Sequence, residues 1–162
     1  MHNQEMPTLV EDTLIHAPVQ VVFDAARDIT LHCQTARHTH ERAVAGVRHG
    51  KVQLNDEVTF EAVHLGVRQR LSSCISEFEP PHYFVDEMIR GAFKTLWHRH
   101  EFEARDQSTL MRDTIIWTSP FGPVGVLFDR LILIRHMQNF LRVRNRELKH
   151  LVEAEYASAK VL

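Results

Sequence analysis

Between residues 57 and 117 apolar side chains alternate with polar ones, whereas after residue 123 they recur every three or four positions. The first period is that of a strand with one buried face, the second that of an amphipathic helix. Thr8–Ile15 reads as an opening strand that His16-Ala17-Pro18 ends, with Pro18 suited to the first turn of a helix. Val19, Val22, Phe23 and Ala26 carry that helix, and a second short one starts near Asp28 or Thr30, before the polar run Thr35 to Arg42. Strands are predicted at Arg42–Ala45, Glu57–Val63, Val67–Phe78, Tyr83–Ile89, Thr95–Glu103 and Thr109–Trp117. Short Gly, Pro, Asn or Asp-containing connections between them imply antiparallel hairpins. After Ser119-Pro120-Phe121-Gly122-Pro123 the stripe Leu127, Leu131, Ile134, Met137, Leu141, Leu148, Leu151 and Val152 predicts a helix from about Val124 to Tyr156. At 1.5 Å per residue it spans roughly 50 Å, enough to cross a sheet. The expected fold class is α+β: a seven-stranded curved antiparallel sheet around a long C-terminal helix, with two short helices after strand 1.

Cross-strand pairing decides which side chains face inward. With Ala104 opposite Thr109, Phe102 meets Met111, His100 meets Asp113, His98 meets Ile115 and Leu96 meets Trp117, while Glu101 meets Arg112 on the reverse face. With Ala62 opposite Val67, Phe60 meets Gln69, Val58 meets Leu71 and Glu61 meets Arg68. Both hairpins then turn an apolar face inward, interrupted by Gln69, His98, His100 and Asp113. The parity of Tyr83–Ile89 stays open, so either Asp86 or Glu87 joins the interior. Trp97 faces outward.

Composition narrows the function classes. The chain has 162 residues, 44% hydrophobic and 25% charged, enough for one core without disulfides or a structural metal. A net charge of −2 gives no electrostatic ground for a nucleic-acid partner, and the basic stretch Arg135 to His150 has Glu147, Glu153 and Glu155 beside it. Cys33 and Cys74 lack metal or redox spacing and read as free thiols. No apolar leader precedes Thr8, and the longest apolar stretch, Leu131 to Ile134, is far below a membrane span. A cytoplasmic location is expected, with no stable membrane insertion. A phosphate-binding Gly loop, a nucleophile elbow and a His-Glu-x-x-His motif are all absent from the sequence.

The chain resembles the START and birch-pollen-allergen (SRPBCC) superfamily, with its helix-grip fold, over nearly its whole length. The resemblance rests on the element order, on Ile15-His16-Ala17-Pro18 followed by Val21-Val22-Phe23, and on Gly91-Ala92-Phe93 leading to Trp97-His98-Arg99-His100-Glu101-Phe102. Asp113 to Gly122 is similar to the polyketide cyclase/dehydrase branch, close to a subgroup of ligand-binding domains. This implies a single domain over 1–162, its core at about 8–156, with a cavity between sheet and helix. The face assignment lines that cavity with Phe60, Gln69, Leu71, His98, His100, Phe102, Met111, Asp113 and Trp117 from the sheet, and Leu127, Leu131, Ile134 and Met137 from the helix.

His98 and His100 lie two apart on one strand and so point the same way. One reading is a hydrogen-bonded polar layer in which Asp113 fixes an imidazole tautomer. Another makes His98 or His100 a general acid–base with Asp113 as its orienter. A divalent ion held by these groups with Asp86 or Glu87 is the third, but without a recognised ligand spacing no metal is assigned. His32, His38, His40 and His49 are expected to be mostly solvated. Three functions follow: binding of a small hydrophobic or aromatic molecule, lipid- or polyketide-like; a cyclase or dehydratase without cofactor; or a homodimeric interaction module pairing through a strand edge or Trp97.

Overall fold

The computed structural model describes residues 6–120 and 132–160. Its elements are β1 (Thr8–Ile15), α1 (Val19–Ala26), α2 (Ile29–Thr35), a 3-10 turn (Arg37–Thr39), β2 (Arg42–Gly46), β3 (Glu57–His64), β4 (Val67–Glu79), β5 (Tyr83–Arg90), β6 (Thr95–Arg105), β7 (Ser108–Thr118) and α3 (Ile134–Ala159). The strands form one antiparallel sheet in the order β1-β7-β6-β5-β4-β3-β2. Pairing shifts in β4 at Ser72/Ser73 and Ile75/Glu77 bend its middle, as bulges do. The expected fold class is the one observed. Leu127 and Leu131, in the first part of the expected long helix, lie outside the described residues.

Local chemistry sets the element ends. Asp28 starts α2 because its carboxylate accepts from the backbone N–H groups of Thr30 (2.8 Å) and Leu31 (3.2 Å). The β6–β7 hairpin closes on Arg105 opposite Ser108, with Asp106 in the left-handed region at φ 51°, and Ala104 pairs with Thr109 as expected. The β3–β4 hairpin differs from expectation. Val67 pairs with His64, not Ala62, so Phe60 meets Leu71, Ala62 meets Gln69, Val58 meets Ser73 and Glu61 meets Arg70. Leu65 (φ 51°) and Gly66 (φ 76°) make a two-residue turn of the type that matches strand twist, which draws the pairing two residues tighter. A shift of two keeps every side chain on its face. Glu61 keeps its outer position and meets Arg42 (2.7 Å), Arg70 (3.0 Å) and Arg68 (3.2 Å).

The concave face is covered in two parts. At one, α1 inserts Phe23 against Phe78, Phe84 and Phe102, with ring centroids 5.6, 5.9 and 5.3 Å away, in a cluster that also holds Ile15, Met111, Leu148 and Val152. At the other, Trp117 is enclosed with Leu9, Leu96, Ile115, Leu133 and Leu141. The 26 residues of α3 cover about 39 Å and contribute to both, through Leu148 and Val152 to the first and Leu141 to the second. Cys33 and Cys74 are free thiols.

Phe23 has no exposed surface and makes three aromatic contacts, so Phe23→Ala is expected to lower stability by about 3–5 kcal/mol. Urea unfolding of the variant measures this; a loss below about 1 kcal/mol would show that α1 does not lock the sheet.

Candidate ligand site

Between the two clusters lies a cavity of about 630 Å³. Its walls are mainly apolar: Val58, Phe60, Ala62, Leu71, Ile75, Phe84, Leu96 and Ile115 from the sheet, Ile29 from α2, and Leu133, Met137 and Phe140 from the start of α3 and the turn before it. Gln69, His98 and His100 also line it. Five expected wall residues lie elsewhere. Phe102 and Met111 are packed into the Phe23 cluster, because α1 occupies that end of the concave face. Trp117 is fully buried in the second cluster, and Ile134 packs beside it. Asp113 has no exposed surface and stands behind the imidazoles, not on the wall.

That position lets Asp113 organise the polar end. Its Oδ1 accepts from His98 Nε2 at 2.9 Å, and its Oδ2 accepts from Asn145 Nδ2 of α3 at 2.7 Å. His100 Nδ1 is 2.7 Å from the same Oδ1 but off the line of a well-formed hydrogen bond. Asp86 is the inward member of the Asp86-Glu87 pair: it pairs across the strands with His98, and its Oδ2 accepts from His100 Nε2 at 3.1 Å. The same Oδ2 is 3.6 Å from His98 Nδ1. Arg144 Nη1 lies 3.7 Å from Asp113 Oδ1 and donates to Asn145 Oδ1 at 3.2 Å. His100 stacks on Phe84 at 4.3 Å, which fixes its plane.

The electrostatics follow from this geometry. Burial alone raises the Asp113 carboxyl, but the charge of His100 and the contacts from both imidazoles override it and hold it well below the usual carboxylate range. Burial likewise works against Asp86, and the hydrogen bond from His100 with the charge of His98 lowers it. Burial pushes His98 down, and the charge of His100 adds to that. For His100, burial is overcome by the charge and contacts of Asp113 and Asp86, so it is raised. The arrangement therefore favours ionised Asp86 and Asp113 and holds a proton more readily on His100 than on His98, with the Arg144 guanidinium beside them. An ionised Asp113 only accepts, so a neutral His98 carries its proton on Nε2 and leaves the Nδ1 lone pair on the side of Asp86. That nitrogen can take a proton from a ligand hydroxyl. Asp86, His98 and His100 also offer three ligand atoms within 4.8 Å of one another, the set among the described residues able to hold a metal ion.

A second polar group, not expected from the sequence, lines the cavity. His64 at the end of β3 and His136 of α3 share a hydrogen bond at 3.0 Å, and Phe140 stands 5.4 Å from the His64 ring. His32 is also not solvated: it stacks on Phe60 at 4.6 Å, meets the Glu41 carboxylate, and lines the cavity. His38, His40 and His49 are exposed. Arg144 and Asn145 were hidden in the helical stripe; the polar gap between Leu141 and Leu148 at core-facing spacing is the signal that marks them.

No family model and no curated relative matches the sequence. Solved structures do match the fold, the helix-grip arrangement of a curved antiparallel sheet around a long C-terminal helix. A protein of Thermus thermophilus is 18% identical, with a TM-score of 0.76 over 92% of this chain and 99% of that one. An aromatase/cyclase from a Streptomyces species is 10% identical, with a TM-score of 0.76 over 92% and 94%. A START superfamily protein from Mycobacterium smegmatis is 11% identical, with a TM-score of 0.70 over 91% and 97%. At these identities the likeness carries architecture, not chemistry. Among the described residues no helix is long and apolar enough to cross a membrane.

The His64–His136 pair has a pH signature. Burial lowers both, His136 further depresses His64, and His38 further depresses His136, while Glu41 pulls His64 and His38 upward and Glu147 pulls His38 upward. Their folded values lie below the ordinary 6.5, so under that pH the unfolded chain binds protons the fold refuses. This contribution is complete above about pH 6.5 and is lost as pH falls. A His64→Gln/His136→Gln variant is therefore expected to lose less melting temperature than the parent between about pH 7 and pH 5.5; equal slopes would contradict the assignment.

Proposed function

We propose that the chain binds a small, mainly apolar molecule in this cavity, with one polar end of the molecule turned to His98, His100 and Asp86. The observation that carries this is a cavity of about 630 Å³ with mainly apolar walls and a few convergent polar groups. Small-molecule pockets usually occupy about 300–1,000 Å³ and have that composition. The polar end sorts ligands by chemistry. His98 and Asp86 offer acceptors to a ligand, whereas the Arg144 guanidinium offers donors. A ring system or chain bearing a hydroxyl next to a carbonyl satisfies both kinds of group, and an aliphatic molecule without oxygen leaves them unpaired at a cost.

A thermal-shift panel of hydroxylated aromatic, polyketide-like and fatty compounds tests this. A binder at about 100 times its dissociation constant stabilises by about 2.7 kcal/mol. Leu71→Trp, which fills the wall, is expected to remove the response while the protein still melts cooperatively. A panel that shifts neither protein, or shifts both equally, would refute the cavity as the binding place.

A further inference from the structure

We propose that Asp86, His98 and His100 form a binding site for one divalent transition ion, zinc above all, at the polar end of the cavity. This goes beyond the binding of an apolar molecule and does not depend on it. Asp86 Oδ2 lies 3.1 Å from His100 Nε2 and 3.6 Å from His98 Nδ1, and each of the three residues offers a ligand atom within 4.8 Å of the other two. An ion with bonds of about 2.0–2.1 Å separates its own ligand atoms by distances of this size. Two imidazoles and one carboxylate make a donor set that zinc accepts while keeping a further position open.

Three observations favour an ion over a plain polar layer. His98 stands between two carboxylates, with Nε2 2.9 Å from Asp113 Oδ1 and Nδ1 3.6 Å from Asp86 Oδ2. The second gap is wider than a hydrogen bond and suits a cation bound by both atoms. Asp113 has the position of an outer carboxylate that orients metal-bound imidazoles: one fully buried oxygen lies 2.9 Å from His98 Nε2 and 2.7 Å from His100 Nδ1, the nitrogens that ligation through the other two leaves protonated. His100 Nδ1 is also a buried polar atom without a well-formed partner, although a carboxylate is in reach. Ligation through Nε2 requires a neutral His100 with its proton on Nδ1, the nitrogen that stands beside Asp113 Oδ1.

Charge assigns the open position. A divalent ion with the carboxylates of Asp86 and Asp113 is neutral, and buried Arg144 leaves one positive charge. A single oxygen anion on the cavity side balances it, either hydroxide or the carboxylate, phenolate or enolate of an apolar molecule.

Full-length protein treated with chelator and then titrated with zinc by calorimetry, and with cobalt by visible absorption, tests the proposal. One zinc per chain is expected at this site, with cobalt giving the intense bands of a low-coordinate nitrogen–oxygen site. The His98→Ala/His100→Ala variant should lose that equivalent. Asp113→Asn should keep it, with affinity weakened about 10–100-fold, as loss of an outer partner does. His64→Gln/His136→Gln should leave it unchanged. The proposal fails if the parent binds no more zinc or cobalt than His98→Ala/His100→Ala, or if the loss follows His64 and His136 instead. Because cobalt spectra are read on the parent protein, a misfolded variant does not remove the test. The compound panel repeated with chelator separates the two readings: shifts that persist without zinc leave ligand binding standing when the ion site fails, and zinc binding with no compound response does the reverse.

Discussion

The structure depends most on a single buried carboxylate. Asp113, with no solvent contact, accepts from His98 on β6 and from Asn145 on α3, and so joins the sheet to the helix through one side chain. A charge at that depth is tolerated only when its partners stay in place. Those partners fix the cavity: the orientation of His98, the contact with His100, and the approach of Arg144 all refer to it. The apolar clusters on either side supply most of the favourable burial, but they do not define the spacing between helix and sheet at its centre. The carboxylate does.

Most of the architecture was legible because period two and period 3.6 are separated so cleanly along this chain. All seven strands fall within a few residues of their expected limits, and the β6–β7 pairing was readable from opposite charges at Glu101 and Arg112 on one face and apolar bulk on the other. The β3–β4 pairing was not, since Glu61 has an arginine at either spacing, Arg68 or Arg70, and charge alone does not choose between them. The backbone chose: Leu65 adopts a left-handed conformation that a leucine rarely takes, and no sequence rule announces it.

The site was legible by face but not by depth. Alternation places Phe102, Met111, Asp113 and Trp117 on the concave side, where they are, yet whether such a residue meets a helix or open space depends on where α1 and α3 cross the sheet. Phe23 decides it for the first two. The parity of β5 was unreadable because Asp86 and Glu87 are adjacent carboxylates flanked by apolar residues on both sides, and only its pairing with β6 settles it. His64, His136 and Arg144 escaped because each is brought in by an element distant in sequence, as with the 72 positions that separate the two histidines.

The hydrogen bond from Asn145 to Asp113 also bears on how the cavity holds a guest. Withdrawing the middle of α3 would take from a buried carboxylate a hydrogen bond to a charged group, a contribution of about 1.5–3 kcal/mol. The leading turns of α3 are held differently, by Ile134, Met137 and Phe140 against the Trp117 cluster and by the contact of His136 with His64. Asn145 thus anchors the middle of the helix to the sheet, and the proposed guest has to be housed without parting that contact.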